Sequence, residues 1–160
     1  MNQHAVPSFI DLASLAGGAI DGHVVAALEH AGFAGLRTRH GYVVQRLLAG
    51  DRTITEIARS LGVTQQAMSK TVAELERMGY VRRDVDPEDA RRRSLALSER
   101  GIAAVDTART VRRRLLARVT ADVGGSRVAE AETVMRSVLD ALGLAGRVDD
   151  RAVPAPPGTD

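Results

Sequence analysis

The side chains best suited to chemistry lie close together on one stretch of the chain. Thr64, Gln65, Gln66, Ser69, Lys70 and Arg77 alternate with Met68, Val72, Leu75 and Met78 at helical spacing, so the polar set shares one face and the apolar set another. The polar face is short-chained, hydrogen-bonding and cationic, and Lys70 is the only lysine of the chain. A second cluster, Arg91, Arg92 and Arg93, follows Asp86-Pro87-Glu88-Asp89. Such groups recognise and neutralise; they are not a set that breaks bonds.

The chemistry that is missing sharpens the point. No cysteine is present, which excludes disulfides, thiolate metal sites, cysteine nucleophiles and thiol-based oxidant sensing. His4, His23, His30 and His40 are not spaced with carboxylates as a metal site or a triad, and no glycine-rich phosphate loop occurs. The chain is therefore expected not to be an enzyme and to need no cofactor or metal. His23 and His30 do share a helical face, but solvated or core histidines are far commoner than ligands.

Two helices and a hairpin must position the polar face. Thr53 followed by Glu56 reads as a capping box that starts a short helix at Ile54. Gly62 closes that helix, and Thr64 caps the next, about residues 65 to 78, with Val63 and Met68 placed as a hydrophobic staple. Two helices joined by so short a turn form a helix-turn-helix, with Ile57, Ala58, Leu61 and Met68 pointing inward and small Ala58 permitting close packing. Gly79 ends the second helix, and YVRRDV and LALS then read as two strands around the loop DPEDARRR, a wing.

Outside this motif the pattern is helical. Residues 8 to 31 carry Phe9, Leu12, Leu15, Ile20, Val24, Ala27 and Leu28 at helical spacing, weakened by three glycines. Residues 36 to 49 follow, with Tyr42, Val43, Leu47 and Leu48 placed for a core. Ser98 caps a long helix to about Val123, Gly124-Gly125 breaks it, and Ser126 starts a last helix. The tail after Gly146, with VPAPPG, is expected to be disordered. Asp11 and Gly17-Gly18 interrupt the apolar N-terminal stretch, which lacks a basic leader, so neither a signal peptide nor a membrane span is expected and the cytoplasm follows.

The net charge of +2 says little, but its distribution says more. Residues 1–36 hold Asp11, Asp21 and Glu29 and no arginine or lysine, whereas residues 109–118 hold Arg109, Arg112, Arg113, Arg114 and Arg118 and no acid. The basic helix could pair with the acidic first helix or with Glu130 and Glu132, or remain a solvated face whose pairs contribute little.

The run from Ile54 to Gly101 resembles the MarR family of winged helix-turn-helix transcription regulators, including its DPxD-x-R wing and the Leu97-Ser98-Glu99-Arg100-Gly101 strand-to-helix exit. The order of helices around it is also similar to that family. The resemblance implies a mainly α fold with a small β-wing, in which terminal helices of two chains interlock and hold two reading heads apart. The corresponding divisions are 1–36 for an N-terminal dimerisation helix, 37–100 for the winged helix-turn-helix, 101–146 for C-terminal dimerisation helices and 147–160 for the tail. It also implies sequence-specific binding of double-stranded DNA by a homodimer, with repression the simplest output. Family members often bind small aromatic ligands in a cleft between the dimer lobe and the reading head; only Phe9, Phe33, Tyr42 and Tyr80 are aromatic here. The competing reading is a winged helix that binds another protein, or acts as an anti-repressor, without touching DNA.

If the second motif helix lies in a major groove, its N-terminal residues Gln65, Gln66 and Ser69 meet base edges, glutamine suiting adenine. Lys70 and Arg77 then meet phosphate or guanine, and Thr64 offers a hydroxyl to a phosphate beside the helix N-terminus. By resemblance Asp89 braces the wing and Arg91 enters the minor groove, with Arg92 and Arg93 reaching backbone or groove. Strand alternation turns one of these neighbours back toward the protein, so the three are not equivalent. A two-fold dimer would prefer an inverted repeat whose half-site centres lie about 10 base pairs apart.

Overall fold

In the computed structural model, which describes residues 6–85 and 93–144, those residues fold as six helices and one pair of antiparallel strands, the hairpin. They run in the order α1 (Phe9–His30), α2 (Thr38–Ala49), α3 (Ile54–Leu61), α4 (Gln65–Arg77), β1 (Val81–Val85), β2 (Arg93–Leu97), α5 (Glu99–Val123) and α6 (Gly125–Ala141). The fold is the expected one, mainly helical with a small antiparallel wing.

Local chemistry sets most boundaries. The Thr53 hydroxyl accepts the Glu56 amide at 3.2 Å while the Glu56 carboxylate takes the Thr53 amide at 2.9 Å, so two of the amides that no helical carbonyl can reach are satisfied. Ser8 and Asp11 form the same reciprocal cap on α1, a signal the sequence reading passed over. With it α1 runs unbroken through Gly17, Gly18 and Gly22. Gly124, at φ +88, separates α5 from α6, which begins one residue earlier than Ser126.

The core centres on α2, α3, α4 and the hairpin, and Val24 and Leu28 of α1 and Ala104 of α5 join it. Val43 and Leu47 of α2, Ile57, Ala58 and Leu61 of α3, Met68, Val72 and Leu75 of α4, and Tyr80, Val81 and Leu95 of the hairpin form one buried cluster. The inward set expected for the motif is thus buried. Leu48, expected in the core of α2, is instead exposed, because Val43 and Leu47 already fill the face that α2 turns inward. The hairpin is pinned by Leu95 N–H to Arg52 C=O at 2.7 Å and by the Tyr80 hydroxyl to Ala34 C=O at 2.9 Å. Arg46, nearly buried, forks onto Asp51 at 2.7 and 3.1 Å and holds the Asp51 carboxyl below its ordinary range.

The remaining helices are different. Of the apolar residues expected on α1, Val24 and Leu28 are buried, whereas Phe9, Leu12, Leu15 and Ile20 are exposed. Within one copy, α6 buries none of its residues. By length and composition alone α1 could also cross a bilayer, since an 18-residue window reaches a mean hydropathy of 1.3 despite the glycines. The same properties suit a helix that packs its apolar face on another protein surface.

Candidate nucleic-acid interface

The turn between α3 and α4 is built for projection. Gly62 adopts the left-handed conformation at φ +68 that closes α3, and the Val63 amide returns to the Ala58 carbonyl at 3.0 Å. Val63 itself stays 39% exposed, so the staple expected beneath the cap is incomplete. Thr64 then caps α4 through its hydroxyl, which accepts the Ala67 amide at 3.2 Å and keeps its own proton for another partner.

Thr64, Gln65, Gln66, Ser69, Lys70 and Arg77 are all exposed, and Met68, Val72 and Leu75 are buried on the opposite side. The structure therefore brings the six α4 candidates onto one solvent-facing surface. The wing candidates are a different matter. Asp89, Arg91 and Arg92 lie outside the described residues; Arg93 begins β2, in register with Val85.

The acids of α4 are held away from that surface by partners that sequence reading missed. Glu74 receives Arg39 at 2.8 Å and His40 at 3.2 Å, and these two hydrogen bonds, Arg39 first, pull its pKa down to about 2. Glu76 is forked by Arg83 at 2.7 and 3.1 Å, which in turn raises the Arg83 pKa. Both carboxylates are thus paired with cations, leaving the field at the exposed face to Lys70 and Arg77. Arg83 was legible in part, because YVRRDV places two arginines on the strand that follows an acidic last turn. Arg39 and His40 lie 35 and 34 residues from Glu74, and no local pattern announces that contact.

The strand-to-helix exit also has a physical basis. Ser98 accepts the Gly101 amide at 3.0 Å as the cap of α5 and donates to the Gly79 carbonyl at 2.5 Å. A Cβ on Gly101 would run into the Tyr80 carbonyl, which is why only glycine lets α5 approach the hairpin so closely. Arg100 stacks over the Tyr80 ring at 4.9 Å and the Phe33 ring at 5.6 Å and donates to the Gly32 carbonyl at 2.8 Å. It fastens α5 to the segment between α1 and α2.

Between α1, α2 and α5 lies a cleft of about 400 Å³ with apolar walls that include Val24, Leu28, Val44, Tyr80, Ala104 and Ala108. Arg37, Arg109 and Arg112 add cations to its lining and Asp21 an acid. Burial raises the pKa of Tyr42, another lining residue, with the charge of Asp21 adding to it. Of the charge pairing anticipated between the fifth and first helices, Arg112 reaches Asp21 at 3.6 Å, while Arg109 meets Asp106 of its own helix at 3.4 Å; the exposed geometry makes both weak. Among the described residues no group of three or more metal-ligating side chains converges, and the exposed His30 ring bonds to the Ala26 carbonyl at 2.7 Å.

Residues 35–92 match the MarR family. Among solved structures, a MarR-family transcriptional regulator from Rhodococcus sp. RHA1 is 25% identical, with a TM-score of 0.59 over 86% of this chain and 97% of that one. MepR of S. aureus bound to ethidium bromide is 20% identical, with a TM-score of 0.62 over 84% and 96%. A transcriptional regulator from Thermotoga maritima is 19% identical, with a TM-score of 0.58 over 83% and 94%. No curated protein matches the chain.

Proposed function

We propose, from the premise that this chain is a MarR-family winged helix-turn-helix regulator, that it binds double-stranded DNA sequence-specifically as a homodimer and represses transcription by occluding a promoter. The observation that carries this reading is the exposed polar face of α4, Thr64 through Arg77, freed of negative potential by the pairing of Glu74 and Glu76. Gln65, Gln66 and Ser69 are assigned to base edges, Lys70 and Arg77 to phosphate or guanine, Thr64 to phosphate. Asp89 and Arg91 to Arg93 are assigned to the wing, where Arg91 enters the minor groove.

The apolar residues that one copy leaves exposed support dimerisation through residues 1–36 and 101–146, around a reading head at 37–100. Leu12 and Leu15 on α1, Leu116 and Val119 on α5, and Val134 and Met135 on α6 give the two chains a surface to share. The cleft between α1, α2 and α5 is the proposed seat of a small, partly aromatic ligand whose binding releases DNA, and the cytoplasm is the proposed location. One MepR structure holds ethidium, and another, of a variant, holds an oligodeoxyribonucleotide, which makes both ligand classes worth testing here.

Duplex binding measured against salt tests the reading. Affinity is expected to fall steeply as salt rises, Lys70→Ala to lower it on every sequence with a shallower salt slope, and Gln66→Ala to relax preference at one base pair. A folded dimer with no salt-dependent duplex affinity would instead support the protein-interaction reading.

A further inference from the structure

His40 is 2% exposed, yet both of its ring nitrogens are engaged. The Arg37 backbone N–H points at Nδ1 from 3.1 Å, and Nε2 lies 3.2 Å from the Glu74 carboxylate. A backbone N–H can only donate, so Nδ1 offers its lone pair; a carboxylate can only accept, so Nε2 carries the proton. The ring is therefore neutral, in its Nε2–H form. It occupies a junction, because Arg37 is the cap residue just before α2, Glu74 belongs to α4, and the ring itself lines the cleft between α1, α2 and α5.

Burial, more than the mixed charges around the ring, favours that state. Arg37 and Arg39 face it from the start of α2, and Arg109 and Arg112 of α5 share its cleft, against the carboxylates Glu74 of α4 and Asp21 of α1. Burial lowers the His40 pKa most; the Glu74 hydrogen bond raises it, and the arginines at the start of α2 lower it again. A proton added at Nδ1 would set one N–H against another, so the ring would have to leave the Arg37 amide. The added charge strengthens the Nε2–H bond to Glu74, but a ring swung off the Arg37 amide and out of its buried seat leaves the line to that carboxylate, and Glu74 then keeps Arg39 alone.

We propose that His40 is a positioning residue for the DNA-reading helix: neutral, it fastens α4 to the start of α2, and a proton at Nδ1 releases that fastening and weakens duplex binding. This rests on the reading of α4 as the helix that meets DNA. The direction of the effect is diagnostic, because charge alone acts the other way: a protein that gains protons becomes more positive and should hold DNA more tightly.

The test measures the affinity of the full chain for a selected duplex at fixed ionic strength from pH 8 to pH 5, for the wild type, His40→Gln and His40→Phe. Nitrogen chemical shifts of the ring report tautomer and titration alongside. The wild type is expected to show the Nε2–H tautomer and to lose about tenfold in affinity as His40 protonates, within the usual range of coupling between sites. In His40→Gln the amide oxygen can still accept the Arg37 N–H at the third helical residue and has no proton to gain, so its profile should be flat or rise slightly. His40→Phe makes neither bond and should bind weakly at every pH; if it does not fold, the other two proteins still decide. Wild-type affinity that is flat or rises on acidification, an equal fall in His40→Gln, or the Nδ1–H tautomer would each overturn the proposal. Should no duplex bind even at pH 8, the DNA reading fails on its own. The fastening is then judged by amide exchange in α4, which must quicken on protonation in the wild type and not in His40→Gln; unchanged exchange would overturn it.

Discussion

The head formed by α2, α3, α4 and the hairpin and the lobe formed by α1, α5 and α6 are both rich in apolar residues but use them differently. In the head Ile57, Val72 and Leu75 are wholly buried and the helix starts of α3 and α4 are capped by side chains. In the lobe Leu15 is 66% exposed, and α6 buries nothing within one copy. A helix gains most of its stability from packing an amphipathic face. The head thus buries its apolar face within one chain, while the lobe leaves apolar surface for the proposed partner copy.

That contrast can be broken at its strongest point first. Ile57→Ala removes a fully buried side chain where three elements meet and should cost about 2–4 kcal/mol in urea unfolding, as core truncations do. The loss should be independent of protein concentration at constant dimer population. Gly101→Ala comes next, because its methyl must displace the Tyr80 carbonyl; about 1–3 kcal/mol of overpacking cost is expected in thermal melts. Thr53→Ala, which removes the α3 cap, should cost about 1 kcal/mol. In the lobe, Leu15→Asp should barely change the head yet shift the dimer to higher concentration in sedimentation, making Tm concentration-dependent. A variant as dimeric as the wild type would remove α1 from the interface.

Acid should also weaken the head. Asp51, Glu56 and Glu74, all in the head, have carboxyls below their ordinary values, held by the Arg46 hydrogen bond, the Arg52 amide and the Arg39 hydrogen bond respectively. Unfolding lets each take up a proton more readily, so the stability they provide is full above the ordinary carboxylate range and is lost as pH falls below it. Urea midpoints for the head between pH 6 and pH 3 should fall, and Asp51→Asn should flatten the fall.

The sequence discloses these regions unequally, for reasons of range. The helix-turn-helix was legible because Thr53, Glu56, Gly62 and Thr64 act within four residues of themselves, and because Met68, Val72 and Leu75 keep a helical period. The α1 helix was legible as a helix, but which of its apolar residues would be buried was not, since that depends on packing against α5, far along the chain. The pairing of Glu74 with Arg39 and His40, the seat of Arg100 between Phe33 and Tyr80, and the cleft are contacts across dozens of residues. Only the fold brings them together. Part of the wing, Asp89, Arg91 and Arg92, lies outside the described residues, so its assignment rests on the resemblance.

The most direct test of the central claim is selection of bound sequences from random duplex DNA by the purified chain at near-physiological salt. An enriched inverted repeat with half-site centres about 10 base pairs apart is predicted, the signature of two α4 helices presented by one dimer. A folded, dimeric protein that enriches no sequence would contradict the account.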